Sequence, residues 1–246
     1  MTDFGQLKGE ALHAAADHIG TSAEWLDEEQ KRSVRRNEIA ADIAIAHPDL
    51  PVMTTIVMSS DLESAERAMA RFRAGDPPNP VEFGSYARMS GIVALEAEGL
   101  ISRDTLLDWW PEHWSSADPD DTDPRLIAIW REAWERNGRR TIYDREERLP
   151  EVETLTLYRG QRHGDKPGCA WSLSRDVAQK FANGASYRVS IPDGEIRTAY
   201  VAPREVIAYL TDRGEQEVII DPAILIDTSP RSGHGFTALR NHGLIR

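Results

Sequence analysis

Three short stretches in the C-terminal part of the chain carry side chains suited to group transfer. In Leu157-Tyr158-Arg159-Gly160 an apolar run ends in an arginine followed by glycine. A guanidinium at the mouth of a sheet offers a rigid planar fork for bidentate capture of a phosphate. Taken alone, such an arginine reads first as a surface ion-pair residue. In Trp171-Ser172-Leu173-Ser174 the two hydroxyls would share a face if the stretch is a strand. Ser174 also precedes a helical pattern, so its plainest role is an N-cap. Ser172 has no such role and can hold a sugar hydroxyl or steer a carboxylate. In Gly214-Glu215-Gln216-Glu217-Val218 two carboxylates at i and i+2 open a strand and point the same way. Like charges that close are unfavourable unless something uses them. One can stabilise a developing cation while the other orients or deprotonates a nucleophile.

The elements that must position these groups fall into two textures. Residues 1–150 read as helices. Leu7, Ala11, Leu12, Ala15 and Ile19 recur at helical spacing up to Gly20, and Thr21 with Glu24 forms a capping box before a helix ending at His47-Pro48. Ser60 with Glu63 reads as a second capping box, with Gly75 closing that helix. A helix is predicted around Tyr86 to Ala97, and another from Ser102 that Pro111 ends or kinks. Asp123, Pro124 and Gly138 bracket a further helix. After Pro150 the texture changes to β-branched runs at Thr154–Tyr158, Tyr187–Ile191, Val206–Leu210, Glu217–Ile220 and Ala223–Ile226, interrupted by one helix from Arg175 to Asn183. The fold class is α+β.

The order of the three stretches resembles the mono-ADP-ribosyltransferases with an Arg–Ser–Glu active site, the cholera-toxin-like branch with a Glu-x-Glu motif. The likeness spans roughly Leu155 to Ile226 and includes Val177-Ala-Gln-Lys-Phe-Ala and Val201-Ala-Pro-Arg-Glu-Val-Ile. It implies a catalytic core at 151–246 of two packed, mostly antiparallel sheets, behind a helical region at 1–150. It implies NAD+ as substrate, with no metal, in a cleft between the sheets. Arg159, with Gly160 beside it, would grip the NAD+ phosphates. Ser172 would support the nicotinamide pocket and position Glu217, with Ser174 and Trp171 alongside and Phe181 and Tyr187 as candidate pocket walls. Glu217 would meet the ribose 2′-OH and stabilise the oxocarbenium ion as nicotinamide leaves. Glu215 would meet the acceptor, and Glu at that position goes with arginine acceptors in this family. The middle residue of the serine motif, usually Thr in the family, is Leu173 here; it should face away from the site.

Composition limits the rest. Formal net charge is -12, all of it within residues 1–150, and six of the seven tryptophans lie there too. An acidic surface repels phosphate backbones, so duplex nucleic acid is not an expected partner; the acceptor that the resemblance implies is a macromolecule, a protein. No stretch approaches the ~18 apolar residues of a membrane span, and the expected location is the cytoplasm of the producing or a target cell. The single Cys169 excludes an internal disulfide framework and reads as a half-buried loop residue. No His-Glu-x-x-His occurs, and no Lys stands where a metal nuclease would need it. Asp118, Asp120, Asp121 and Asp123 lack the glycine and final glutamate of a calcium loop and read as a solvated acidic loop. Two alternatives stay open: an NAD+ glycohydrolase, for which Glu215 is dispensable, and an inactive binding protein on the same scaffold.

Overall fold

The computed structural model describes residues 23–48, 52–184, 193–227 and 235–238. The helix expected near Leu7–Ile19 and the strand at Tyr187–Ile191, with its candidate Tyr187, lie outside the described residues. The fold is mixed α+β. No α-helix among the described residues is long and apolar enough to cross a membrane.

Helices α1 (Ala23–Ala46) and α2 (Val52–Arg73) pack side by side. The second begins at Val52, so Ser60 and Glu63 lie inside it rather than capping it. Glu63 is buried and joined to Arg67 one turn on, an i,i+4 pair that only a continuing helix provides. After a 3-10 turn at Pro80–Glu82, α3 (Arg88–Ala97) leads to α4 (Arg103–Trp114), capped by the Ser102 hydroxyl. The last of these does not stop at Pro111. Leu106, Leu107, Trp110 and Trp114 share its buried face, and burying large aromatics offsets the one backbone hydrogen bond a proline removes. Then comes α5 (Pro124–Arg136), with Asp123 as N-cap and proline at its start, as expected from the sequence.

The strands are β1 (Ile142–Tyr143), β2 (Leu155–Arg162), β3 (Ala170–Ser172), β4 (Gly194–Val201), β5 (Val206–Leu210), β6 (Glu217–Ile220), β7 (Leu225–Asp227) and β8 (Gly235–Ala238). Between β3 and β4 lies α6 (Arg175–Ala182). Hydrogen bonding joins the strands in one sheet, ordered β1-β5-β6-β3-β2-β4-β8-β7, rather than in two separate ones. Most pairs are antiparallel; β1·β5 and β4·β8 are parallel. The link between the halves is thin, because β3 meets β2 at the single pair Tyr158↔Ser172 and β6 along three residues.

Two cores flank the sheet. One joins Leu106, Trp110, Trp114, Ile127 and Trp130 of the helices to Cys169, Ile207, Ala208, Leu210 and Ile219 of the sheet segment. Pro150 therefore separates two textures of sequence, but residues on both sides of it build this core. The other core, including Leu155, Leu157, Trp171, Ala199, Tyr209, Val218 and Ile220, contains no α-helical residue among the described residues. Along the β2–β4 ladder, α6 lies in backbone contact with two glycines. A methyl at Gly160 would stand 2.0 Å from the Ala178 carbonyl oxygen, and one at Gly194 would stand 1.6 Å from that of Ala182.

Candidate active site

Three strands deliver the chemistry-bearing residues to one line of the sheet. Tyr158 pairs with Ser172, and Ser172 pairs with Glu217. Residues directly opposite in an antiparallel ladder project to the same face. That face opens into a cavity of about 420 Å³ whose lining includes Arg159, Gly160, Trp171, Ser172, Phe181, Glu215 and Glu217. Of the described residues that the sequence assigned to the site, Ser174 is the one that does not line it. It caps α6, its hydroxyl accepting from the Val177 N–H at 3.3 Å, because β3 ends at Ser172 and strand alternation does not reach it.

Arg159 is not at the end of its strand. It lies in the middle of β2, which runs on to Arg162. Simple alternation would turn it away from Tyr158, but β2 and β3 separate after their single pair, and the side chain reaches across that split. Four of its five N–H groups are engaged. Nε donates to Gln161 Oε1 at 3.1 Å, and Nη1 to the Ala170 carbonyl at 2.6 Å. Nη1 and Nη2 also grip Asp121 as a fork, with Nη2 to Oδ1 at 3.0 Å. Burial works against the guanidinium charge, but the carboxylate of Asp121 more than offsets it, so the proton is held more tightly than usual.

Ser172 acts through the backbone of the turn. Its hydroxyl donates to the Glu215 carbonyl at 2.7 Å and accepts the Ser174 N–H at 2.9 Å. The Leu173 N–H binds the Gln216 carbonyl beside it, at 3.1 Å. This pins the turn Gly214–Gln216, in which Gly214 and Gln216 both have positive φ, 68° and 48°. A left-handed conformation at a non-glycine residue is uncommon and strained. It corrects the expectation that Glu215 and Glu217 share a face by strand alternation. The strand starts only at Glu217, and both carboxylates line the cavity because Gln216 turns the chain between them.

Glu217 is the most perturbed acid of the site. Burial above all, with Glu215 and Asp121 nearby, raises its pKa to about 7; the Trp114 indole and Arg213 work in the opposite direction. The indole Nε1–H donates to Glu217 Oε1 at 3.0 Å. Arg213 sits 3.7 Å from Glu215 Oε1 and donates to the Ser115 carbonyl.

Sequence reasoning missed the wall that residues 1–150 contribute. Tyr86, Trp114, Ser115, Asp118 and Asp121 line the cavity. Trp114 was legible only through its i,i+4 spacing from Trp110 once the helix is allowed through Pro111. Asp121 is not part of a solvated acidic loop. It pairs with Arg159, accepts the Ala170 N–H at 3.0 Å, and through its carbonyl accepts the Cys169 N–H at 3.0 Å. Cys169 is fully buried rather than half-buried, and burial pushes its thiol pKa well up. Among the described residues no three His, Cys, Asp or Glu side chains converge as a metal ion would require.

Comparison with protein-family models, with curated proteins and with solved structures finds no match to this chain.

Proposed function

We propose that the protein is an NAD+-dependent mono-ADP-ribosyltransferase that releases nicotinamide and passes ADP-ribose to an arginine of a target protein. The observation that carries this reading is the ladder Tyr158–Ser172–Glu217, which sets a half-buried acid beside Arg159 and Glu215 in one cavity. Three stretches spread over some sixty residues of sequence thus meet at one spot. The cavity is of small-molecule size. It has a guanidinium for a diphosphate, an apolar wall at Val177, Ala178 and Phe181 for a planar ring, and an acid for the ribose.

In this reading Arg159 holds the diphosphate through its fork, exchanging part of its grip on Asp121 for phosphate oxygens. Ser172 fixes the turn that carries both glutamates. The ionised Glu217 accepts a hydrogen bond from the 2′-OH of the nicotinamide ribose. The C1′–N bond breaks, its electron pair leaves with nicotinamide, and the carboxylate stabilises the oxocarbenium ion left behind. A guanidinium nitrogen of the acceptor then bonds to C1′, and its proton passes to Glu215. With water as acceptor the same residues hydrolyse NAD+. A half-buried acid with its pKa raised toward neutral is unfavourable for the fold and has a use in catalysis, which favours an enzyme over an inert scaffold.

The test is nicotinamide release from NAD+ by the full chain, wild type beside Glu217→Ala, with and without cell lysate. Release that requires Glu217 and increases with lysate is the expected result. Turnover retained in Glu217→Ala, or absence of release from wild type in both conditions, overturns the reading.

A further inference from the structure

We propose that Trp114, in the helical segment, is a positioning residue for Glu217: its indole N–H aims the carboxylate into the cavity and favours the charged form. The proposal rests on the reading of Glu217 as the group that meets the ribose.

Three observations carry it. First, the donor is fixed. Trp114 is 2% exposed, lies edge-on to Trp130 at 5.3 Å and packs on Trp110 at 5.9 Å, so its N–H cannot swing away from the 3.0 Å bond. Second, the neighbours differ. Among the described residues the buried indole N–H groups of Trp110, Trp130 and Trp134 find no acceptor, whereas that of Trp114 ends on an acid 103 residues further along the chain. A tryptophan needed only to fill the core has no reason to meet a carboxylate. Third, the residue across the ladder cannot do this job. The only proton of the Ser172 hydroxyl is spent on the Glu215 carbonyl, which leaves none for the Glu217 carboxylate.

The surroundings make that donor matter. Glu215 faces Glu217 from the turn before β6, Asp121 from the loop between α4 and α5, and the Cys169 thiol from the residue before β3. The two carboxylates oppose a further negative charge at Glu217, while the Cys169 thiol, its pKa pushed up by burial, stays neutral. Arg213, from the turn after β5, is the cation on the other side of the balance. A hydrogen bond to a charged group in such a place is stronger than one between neutral groups, and it favours ionisation.

The test uses Trp114→Phe, which keeps a ring in the stack and removes the N–H. The pH midpoint of nicotinamide release should move up by roughly one unit. At neutral pH kcat should fall by about fivefold and recover as pH rises, with KM little changed. Trp130→Phe, from the same aromatic cluster, should leave the midpoint where it is. A purely structural role for Trp114 would lower activity evenly at all pH values and would overturn the proposal. A second readout needs no turnover. With carboxyl-13C glutamate, and Glu217→Gln to assign the signal, the Glu217 midpoint should rise in Trp114→Phe. In the unmodified protein the Trp114 indole proton signal should titrate with that same midpoint and stay flat in Glu217→Gln. A flat indole signal in the unmodified protein overturns the proposal even if Trp114→Phe does not fold. Absence of nicotinamide release would count against the enzyme reading alone, since both carboxylate and indole titrations still report on Trp114.

Discussion

The sheet segment and the helical segment meet at the cavity with complementary contributions. From the sheet come the groups that can act on a substrate: Arg159 on β2, Ser172 on β3 and Glu217 on β6. From the helices and their loops come the groups that hold two of them: Asp121 on Arg159, and Trp114 on Glu217. The charge divides the same way, since residues 151–246 are balanced and residues 1–150 carry the whole excess of acid. A motif search finds the first set, because those residue types announce their chemistry. It passes over the second, because a tryptophan and a loop aspartate announce nothing until their partners are known.

The sharpest way to break this division is Glu217→Gln. NAD+ cleavage should drop by about 10³-fold or more, as when a group that stabilises transition-state charge is removed. Stability should move in the opposite direction. Glu217 titrates near 7 in the folded protein, against an ordinary value of 4.5. Between those values the folded chain holds a proton that the unfolded chain has released. Stability is therefore full below about pH 4.5 and is lost as pH rises through 7. The glutamine variant lacks that loss and should be more stable at pH 8, by something on the order of 3 kcal/mol in denaturant unfolding. A variant no more stable than wild type at pH 8 would mean that the acid is not strained in the fold.

Arg159→Ala comes next. It removes a charge-assisted fork, so KM for NAD+ should rise by roughly ten- to a hundredfold in steady-state kinetics. It also leaves Asp121 half-buried without its partner, and the melting temperature should fall. Asp121→Asn probes the same pair from the helical side. The neutral amide loosens the grip on Arg159, and KM for NAD+ should fall a few-fold while stability drops by about 1 kcal/mol. A KM that rises instead would mean that Asp121 supports the bound geometry rather than competing with the diphosphate. The smallest effect on NAD+ cleavage belongs to Glu215→Ala. Hydrolysis should stay within about twofold, while transfer to a protein acceptor, followed with labelled NAD+, is lost. Equal loss of both activities would remove Glu215 from the acceptor side.

Much of this arrangement was legible in the residues. The caps Asp123 and Ser174 set α5 and α6, and the runs at β5 and β6 are strands for the reasons their β-branched composition suggests. What escaped is governed by contacts distant in sequence. Strand β4, which carries Glu195 and Arg197, is not among the runs read as strands from the sequence; it forms through its eight-residue ladder with β2. Only two residues make β1, which owes its place to pairing with β5. The passage of α4 through Pro111 depends on what Trp110 and Trp114 bury. The joint presence of Glu215 and Glu217 in the cavity was expected, but its cause was not: a left-handed Gln216 replaces strand alternation.

Gly160 and Gly194 set a dimension of the molecule by what they lack. Because neither has a side chain, α6 settles onto the backbone of β2 and β4, and with it Val177, Ala178 and Phe181, which form one wall of the cavity. The clearance available to a flat ring is thus controlled by two missing methyl groups. A single carbon added at either site would lift the helix and change which molecules fit, with every polar residue of the site still in its place in the sequence.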